Sequence, residues 1–142
     1  MARVKPEAGT LKVFAWPVRV YYEDTDAGGV VYYANYLKFF ERARTEWLRS
    51  LGLNQDKLAR EENLIFVVRS ATLDFASPAR LDDMLEVTVE PQKLARVYVQ
   101  LAQEVRRGGQ VLAGAGVKVA CLDRRNFKPV AIPQFLRESI QQ

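Results

Sequence analysis

The chain has 142 residues, no histidine and a single cysteine. Without histidine it can build no Ser–His or Cys–His catalytic pair, no imidazole metal ligand and no histidine acid or base. The lone Cys121 permits no disulfide within the chain and no cysteine-rich zinc site. It lies in an apolar, strand-like run, which makes it an inert buried thiol. No apolar run is long enough to span a membrane, and the opening MARVKPEAGT lacks a signal-peptide core, so the expected location is cytoplasmic. Basic residues form no long run. The net charge of +4 suits a phosphate-bearing ligand and suits solvated lysines and arginines equally well.

What is present is globular, with 49% hydrophobic and 27% charged residues. A chain of this size buries roughly 68–70% of its unfolded surface, enough for one real core. We therefore read residues 1–142 as a single domain, with residues 1–12 as a flexible leader.

One stretch, Tyr21 to Gly52, organises the rest. A strand from Phe14 to Tyr22, with Pro17 marking an edge or irregular start, leads into the acidic turn Glu23-Asp24-Thr25-Asp26. Two glycines and the longest helical pattern follow. Leu37, Phe40, Trp47, Leu48 and Leu51, with Ala43 between them, predict one broad apolar face. Gly52 is placed for a left-handed cap, with Leu53 supplying the apolar contact beyond it. A helix start offers unpaired N–H groups and partial positive charge. A ligand there would set an electron-rich atom on the amides and its electrophilic centre near Asp26.

Asn54 caps a short polar helix running to about Glu62. Leu64 to Phe75 reads as a strand. Leu85, Val87 and Val89 alternate with polar residues in a half-buried strand closed by Pro91. Lys93 to Arg106 is a further strand, Arg107-Gly108-Gly109-Gln110 a hairpin turn, and Val111 to Asp123 the next strand. Gly114 and Gly116 share a face of that last strand, where the helix would nestle against the backbone. Pro133 starts a short helix through Ser139. The order predicts an α+β fold with an antiparallel sheet around one helix, its exposed edges covered by association of chains.

Several chemistries fail on spacing. The Asp24-Thr25-Asp26 run begins like a calcium loop, but Asn35 replaces the bidentate glutamate and Gly28 stands where an oxygen ligand belongs. Gly114-Ala115-Gly116 lacks the third glycine and the following helix of a dinucleotide site. Only Tyr98 is available as a stacking platform for single-stranded nucleic acid between Lys93 and Tyr98. The acidic turn itself is open to two readings, an Asp-capped turn feeding a helix or a functional site. Three close carboxylates beside two glycines favour the second.

Trp16 to Tyr32, reading WPVRVYYEDTDAGGVVY, resembles the hotdog-fold acyl-CoA thioesterases of the 4-hydroxybenzoyl-CoA type. The likeness is greatest to the YbgC branch associated with the bacterial Tol-Pal envelope system. Phe40 to Glu46 and Pro78 to Asp83 resemble further blocks of that branch, and the similarity extends from Phe14 over nearly the whole chain. The resemblance implies a long helix wrapped by an antiparallel sheet, a homodimer or homotetramer, and no cofactor or metal. Its implied substrate is an acyl-CoA, with acyl carrier protein as an alternative thioester donor and no nucleic acid. By position, Asp26 falls on the catalytic aspartate and Tyr33 where a backbone N–H holds the thioester carbonyl. The nearest relatives usually carry histidine at that position; a backbone role survives the exchange. Gly28, Gly29 and Val30 line the approach. Lys93 and Arg96 in one loop, and Arg124, Arg125 and Lys128 in another, would hold the nucleotide across a subunit boundary.

A thioester is already activated and its thiolate leaves readily, which suits a site without histidine. Asp26 would attack the carbonyl directly or activate a water. An ordinary aspartate, titrating near ~3.9, is a poor base at neutral pH but a permanently ionised nucleophile. Burial would raise it and restore the base role. Two other classes compete. A hotdog dehydratase or hydratase ordinarily needs the histidine this chain lacks, and a non-catalytic acyl-CoA or carrier-protein binder would not need Asp26.

Overall fold

The computed structural model describes residues 13–141, and the predicted leader 1–12 lies outside them. Strand β1 (Phe14–Arg19) passes through a single 3-10 turn at Tyr22–Asp24 to helix α1 (Asn35–Ser50) and helix α2 (Gln55–Glu62). Four strands follow: β2 (Leu64–Phe75), β3 (Met84–Leu94), β4 (Tyr98–Arg107) and β5 (Gln110–Asp123), then helix α3 (Gln134–Gln141). The strands form one antiparallel sheet in the order β1-β3-β4-β5-β2. Helix α1 packs on one face of it, against β1, β3 and β4. This is the α+β hotdog arrangement expected from the sequence.

The helix buries Tyr36, Phe39, Phe40, Ala43, Trp47 and Leu48. Each of the larger apolar side chains among them contributes on the order of 1.5–3 kcal/mol by leaving water. Leu37, expected on that face, is 47% exposed. The helix phase is set by Tyr36, and Leu37 stands about 100° further round the axis. At the other end Gly52 takes φ +82°. Its N–H donates to Arg49 O and the Leu53 N–H to Leu48 O, each at 2.9 Å, so the expected left-handed cap is present. The Asn54 side chain accepts from the Lys57 N–H at 3.0 Å and starts α2.

Four sequence expectations are corrected. The first strand stops at Arg19, because the chain turns at Tyr22–Asp24 instead of continuing the ladder. Pro91 does not close β3, which runs on to Leu94; a register shift between Pro91 and Lys93 absorbs the missing donor as a bulge. The following strand begins at Tyr98, since residues 95–97 form the turn. Finally, Gly114 and Gly116 face away from α1. Leu112, Ala113 and Val117 of β5 join the core around the helix, whereas Gly116 sits against Thr72 and Gln100 on the opposite face of the sheet. Because side chains alternate across a strand, the glycines lie on the side without the helix.

Between helix and sheet lies one buried polar side chain. Gln103 of β4 is 1% exposed. Its Nε2 donates to Phe40 O of α1 at 3.1 Å and to Thr88 O of β3 at 3.2 Å. Its Oε1 accepts from Arg44 Nη1 at 3.0 Å. A buried amide so satisfied fixes geometry, where an unpaired one would cost stability.

Candidate active site

The acidic turn divides its carboxylates by role. Asp24 is buried; its Oδ2 accepts from the Tyr21 N–H at 2.8 Å, and its carbonyl accepts from Asn35 Nδ2 at 2.8 Å and from the Tyr32 N–H at 3.1 Å. It therefore ties the turn to the start of α1. Asp26 is exposed, at the tip of a small hairpin in which Thr25 bridges Val31. The Gly28 N–H donates to Asp26 Oδ1 at 2.8 Å, and the Gly29 N–H to Asp26 O at 3.0 Å. Gly29 takes φ +77°, a conformation that favours glycine. A Cβ on Gly28 would lie 3.2 Å from Asp26 Oδ1, so glycine there lets the backbone close on the carboxylate.

The returning arm of the hairpin is anchored as well. Val30 bridges Arg80, and the Val31 N–H donates to Ala79 O at 2.8 Å. The Ala79 N–H in turn donates to Tyr36 Oη at 3.0 Å. The turn from Arg80 to Asp83 is braced by an ion pair from the end of β4. Arg80 offers its N–H to Asp83 Oδ2 at 2.8 Å, and the charge partner is Arg107 Nη1 at 2.7 Å. Desolvation works against ionisation of Asp83, but these hydrogen bonds and both guanidinium charges outweigh it and hold the carboxyl below its usual range.

At the helix start, the N–H groups of Asn35, Tyr36 and Leu37 bond to carbonyls three residues earlier. Among the described residues no acceptor meets the N–H of Tyr33 or of Ala34. They stand at the entry to α1, two and three residues beyond Val31, which bridges back to Thr25 beside Asp26. Beside them opens a cavity of about 280 Å³ lined by Val31, Tyr33, Tyr36, Phe75, Ala76, Ser77 and Pro78. The Phe75 ring meets Tyr33 at 6.3 Å edge-on and Tyr36 at 5.3 Å. Sequence reasoning did not single out Tyr36 or Phe75. Tyr36 was legible, since it leads the helical series Tyr36, Phe40, Ala43, Trp47; Phe75 meets it only through the fold.

The five cations assigned to nucleotide binding stand elsewhere in the chain. Lys93 lies near the end of β3 and Arg96 in the β3–β4 turn; Lys93 Nζ lies 5.8 Å from the Tyr98 ring, and Arg96 O accepts from the Ile132 N–H. That turn abuts the end of β5, where the Cys121 N–H donates to Val97 O. Arg124 Nη1 donates to Ala59 O of α2, while Arg125 pairs with Asp123 at 2.8 Å and holds its carboxyl at about 2. Lys128 is exposed. The two loops thus form one basic end. Asp26 belongs to the other end, beside residues 76–79, where the Ala76 N–H donates to Leu112 O. From Leu112 to Cys121 along β5 is roughly 30 Å at about 3.3 Å per residue. Within a single chain the structure gathers Asp26, Gly28, Gly29 and Val30 in one hairpin, with Tyr33 two residues beyond its closing bridge at Val31, and keeps the cations apart from that hairpin. Cys121 is fully buried and burial pushes its thiol up to about 11, which removes it as a nucleophile.

The fold agrees with comparison to known proteins. Residues 28–113 match the family model described as Thioesterase superfamily, and the chain belongs to that family. It is a thioester hydrolase. Among its relatives is the acyl-CoA thioesterase YbgC of Haemophilus influenzae, 50% identical over 87% of this chain and 91% of that protein. The acyl-CoA thioester hydrolase YbgC of Escherichia coli is 45% identical over 92% of this chain and 97% of its own length. A solved 1,4-dihydroxy-2-naphthoyl-CoA thioesterase from Synechocystis superposes with TM-score 0.84 at 26% identity, covering 91% of this chain and 96% of that one.

Proposed function

We propose that the protein hydrolyses acyl-CoA thioesters in the cytoplasm, with Asp26 as the reacting carboxylate and the Tyr33 N–H as the principal carbonyl donor. The observation that carries this reading is the pair of unmatched N–H groups at Tyr33 and Ala34 beside the hairpin that presents Asp26. Donors fixed in that way hold the oxygen of a thioester carbonyl and strengthen as it becomes an oxyanion, a contribution of a few kcal/mol per donor (about 2.7–4). Asp26 then either attacks the carbonyl carbon, expelling the CoA thiolate and leaving an anhydride that water opens, or takes a proton from the attacking water. The side chain at position 33 has no part in either route, which is consistent with tyrosine standing in place of histidine. Acyl carrier protein is the second thioester donor to assay.

The distance between Asp26 and the basic end supports a site shared by two chains. Strand β2 is an outer strand of the sheet, paired with β5 alone among the described residues. Its Leu64 end lies beside the basic loop, through the bond from the Arg124 N–H to Asn63 O, and its Phe75 end lies beside Tyr33. Antiparallel pairing of two β2 strands sets the Phe75 end of one against the Leu64 end of the other. Arg124, Arg125 and Lys128 of one chain then approach Asp26 of its mate. A dimer is the smallest assembly that does this, and a tetramer is two of them.

Release of CoA from a panel of acyl-CoAs tests the reading. Asp26→Asn should fall at least a hundredfold in kcat with an unchanged melting temperature; full activity in that variant removes Asp26 from the mechanism. A single turnover in heavy-oxygen water separates the two routes, because label in Asp26 marks attack and label in the acid product alone marks the base. For the shared site, Asp26→Asn protein is mixed with Arg124→Glu/Arg125→Glu protein after co-refolding. Recovery of about a quarter of wild-type activity is expected from the mixed dimers. No recovery, with mixed dimers present, would place both groups on one chain.

A further inference from the structure

The carbonyl oxygen of Asp24 accepts two hydrogen bonds. One comes from the Tyr32 N–H at 3.1 Å and the other from Asn35 Nδ2 at 2.8 Å. A carbonyl oxygen has two lone pairs, so its capacity is filled. Between those two donors in the chain stand Tyr33 and Ala34, whose N–H groups meet no acceptor among the described residues. The Asn35 N–H closes the same stretch by donating to Tyr32 O at 2.8 Å. The segment from Tyr32 to Asn35 is thus drawn onto one oxygen at both ends, with the two open donors held between.

That oxygen is itself fixed in place. Asp24 is buried, its Oδ2 accepts from the Tyr21 N–H at 2.8 Å, and its own N–H donates to Tyr21 O at 3.0 Å. The helix entry has no comparable hold of its own. Ala34 stands at the N-cap of α1 and makes no side-chain cap bond. The half-buried Asn35 side chain reaches back to the acidic turn instead. A hydrogen bond weakens steeply as it leaves the line of the donor, so the direction of an N–H decides what it contributes to a carbonyl.

We propose that Asn35 is a positioning residue for thioester hydrolysis: by holding Asp24 O, it aims the Tyr33 and Ala34 N–H groups at the substrate carbonyl. It acts through the backbone and does not touch the substrate. This rests on the donor role proposed above for those amides, and is independent of whether Asp26 attacks or activates a water. A bond that only braced the turn would affect stability and leave the chemistry of each folded molecule intact.

The readout is the carbonyl stretch of a bound ketone analogue of an acyl-CoA, in which a methylene group replaces the thioester sulfur and no turnover occurs. Infrared difference spectra with an isotope-labelled carbonyl should show it at lower frequency on the wild-type protein than in water. Asn35→Ala removes the side-chain donor while Asp24 O keeps the Tyr32 N–H, and alanine favours a helix, so this variant is expected to fold. It should lose most of the shift, with kcat for acyl-CoA hydrolysis down about tenfold and KM within about twofold of wild type. Asn35→Gln, which keeps an amide donor, should restore part of both. Melting temperatures show which variants fold, and Asn35→Asp, with the same shape and no donor, is read in place of Asn35→Ala if that protein does not. An undiminished shift in a folded donor-less variant would overturn the proposal, whatever its kcat. No shift on the wild-type protein would overturn the donor role on which it rests.

Discussion

The hydroxyl of Tyr36, in the first turn of α1, accepts the backbone N–H of Ala79 at 3.0 Å in a buried contact. Ala79 O meanwhile accepts from the Val31 N–H, so one residue links the helix to the hairpin that carries Asp26. Removing the hydroxyl leaves a buried donor without a partner, which costs about 1–3 kcal/mol. Tyr36→Phe is expected to lower unfolding free energy by that amount in urea titration. A change below about 0.3 kcal/mol would mean that water replaces the hydroxyl.

Glycine at position 28 tests the proposed role of Asp26 without touching its carboxyl group. The backbone there does not require glycine, since φ is not positive, but a methyl group would press on Asp26 Oδ1 at 3.2 Å. Gly28→Ala is expected to keep its melting temperature within about 2 °C of wild type while losing about tenfold in kcat/KM through displacement of the carboxylate. Activity equal to wild type would show that the position of that oxygen is not critical.

The Asp123–Arg125 pair gives a pH dependence with a definite sign. Asp123 has a folded-state value of about 2, set by side-chain and backbone hydrogen bonds from Arg125 against opposing desolvation. An unfolded aspartate titrates near ~3.9. The lowered value means the pair stabilises the fold above the unfolded value and loses that effect as pH falls toward the folded one. Melting temperatures of wild type and Arg125→Ala should differ at pH 6, converge below pH 4 and coincide near pH 2. A gap that stayed constant with pH would assign the effect to packing.

Gly52 ends α1 at φ +82°, where any Cβ is strained. Gly52→Ala is expected to cost about 1 kcal/mol, with Gly52→Asn milder, as read by chemical denaturation. Neither should alter kcat, because this end of the helix is remote from Asp26. A large loss of kcat in either would show that the helix start shifts with its end.

Features set by nearest neighbours along the chain were readable in advance: the Gly52 cap, the Asn54 cap, the Gly108-Gly109 turn and the long helix. The phase of that helix was not fully readable. Leu37 and Tyr36 are both apolar enough to face a core, and only the sheet decides between them. The orientation of Gly114 and Gly116 was missed for a related reason, since alternation assigns residues to two faces without saying which one the helix covers. In the site, Asp26 and its two glycines were legible as a turn. The separation of Asp26 from Arg96 and Arg124 within one chain was suggested by the resemblance alone and not by the residues, because both loops follow strands whose direction is known only once the sheet order is.

The amide of Gln103 joins three elements that apolar contacts alone would leave free to slide. A greasy helix on a greasy sheet tolerates small rotations, since one methyl group replaces another at little cost. Directional bonds to Phe40 O and Thr88 O do not tolerate them. Sequence drift among the apolar neighbours can therefore change the filling of the core while the angular setting of α1, and with it the aim of the Tyr33 and Ala34 N–H groups, stays where it is.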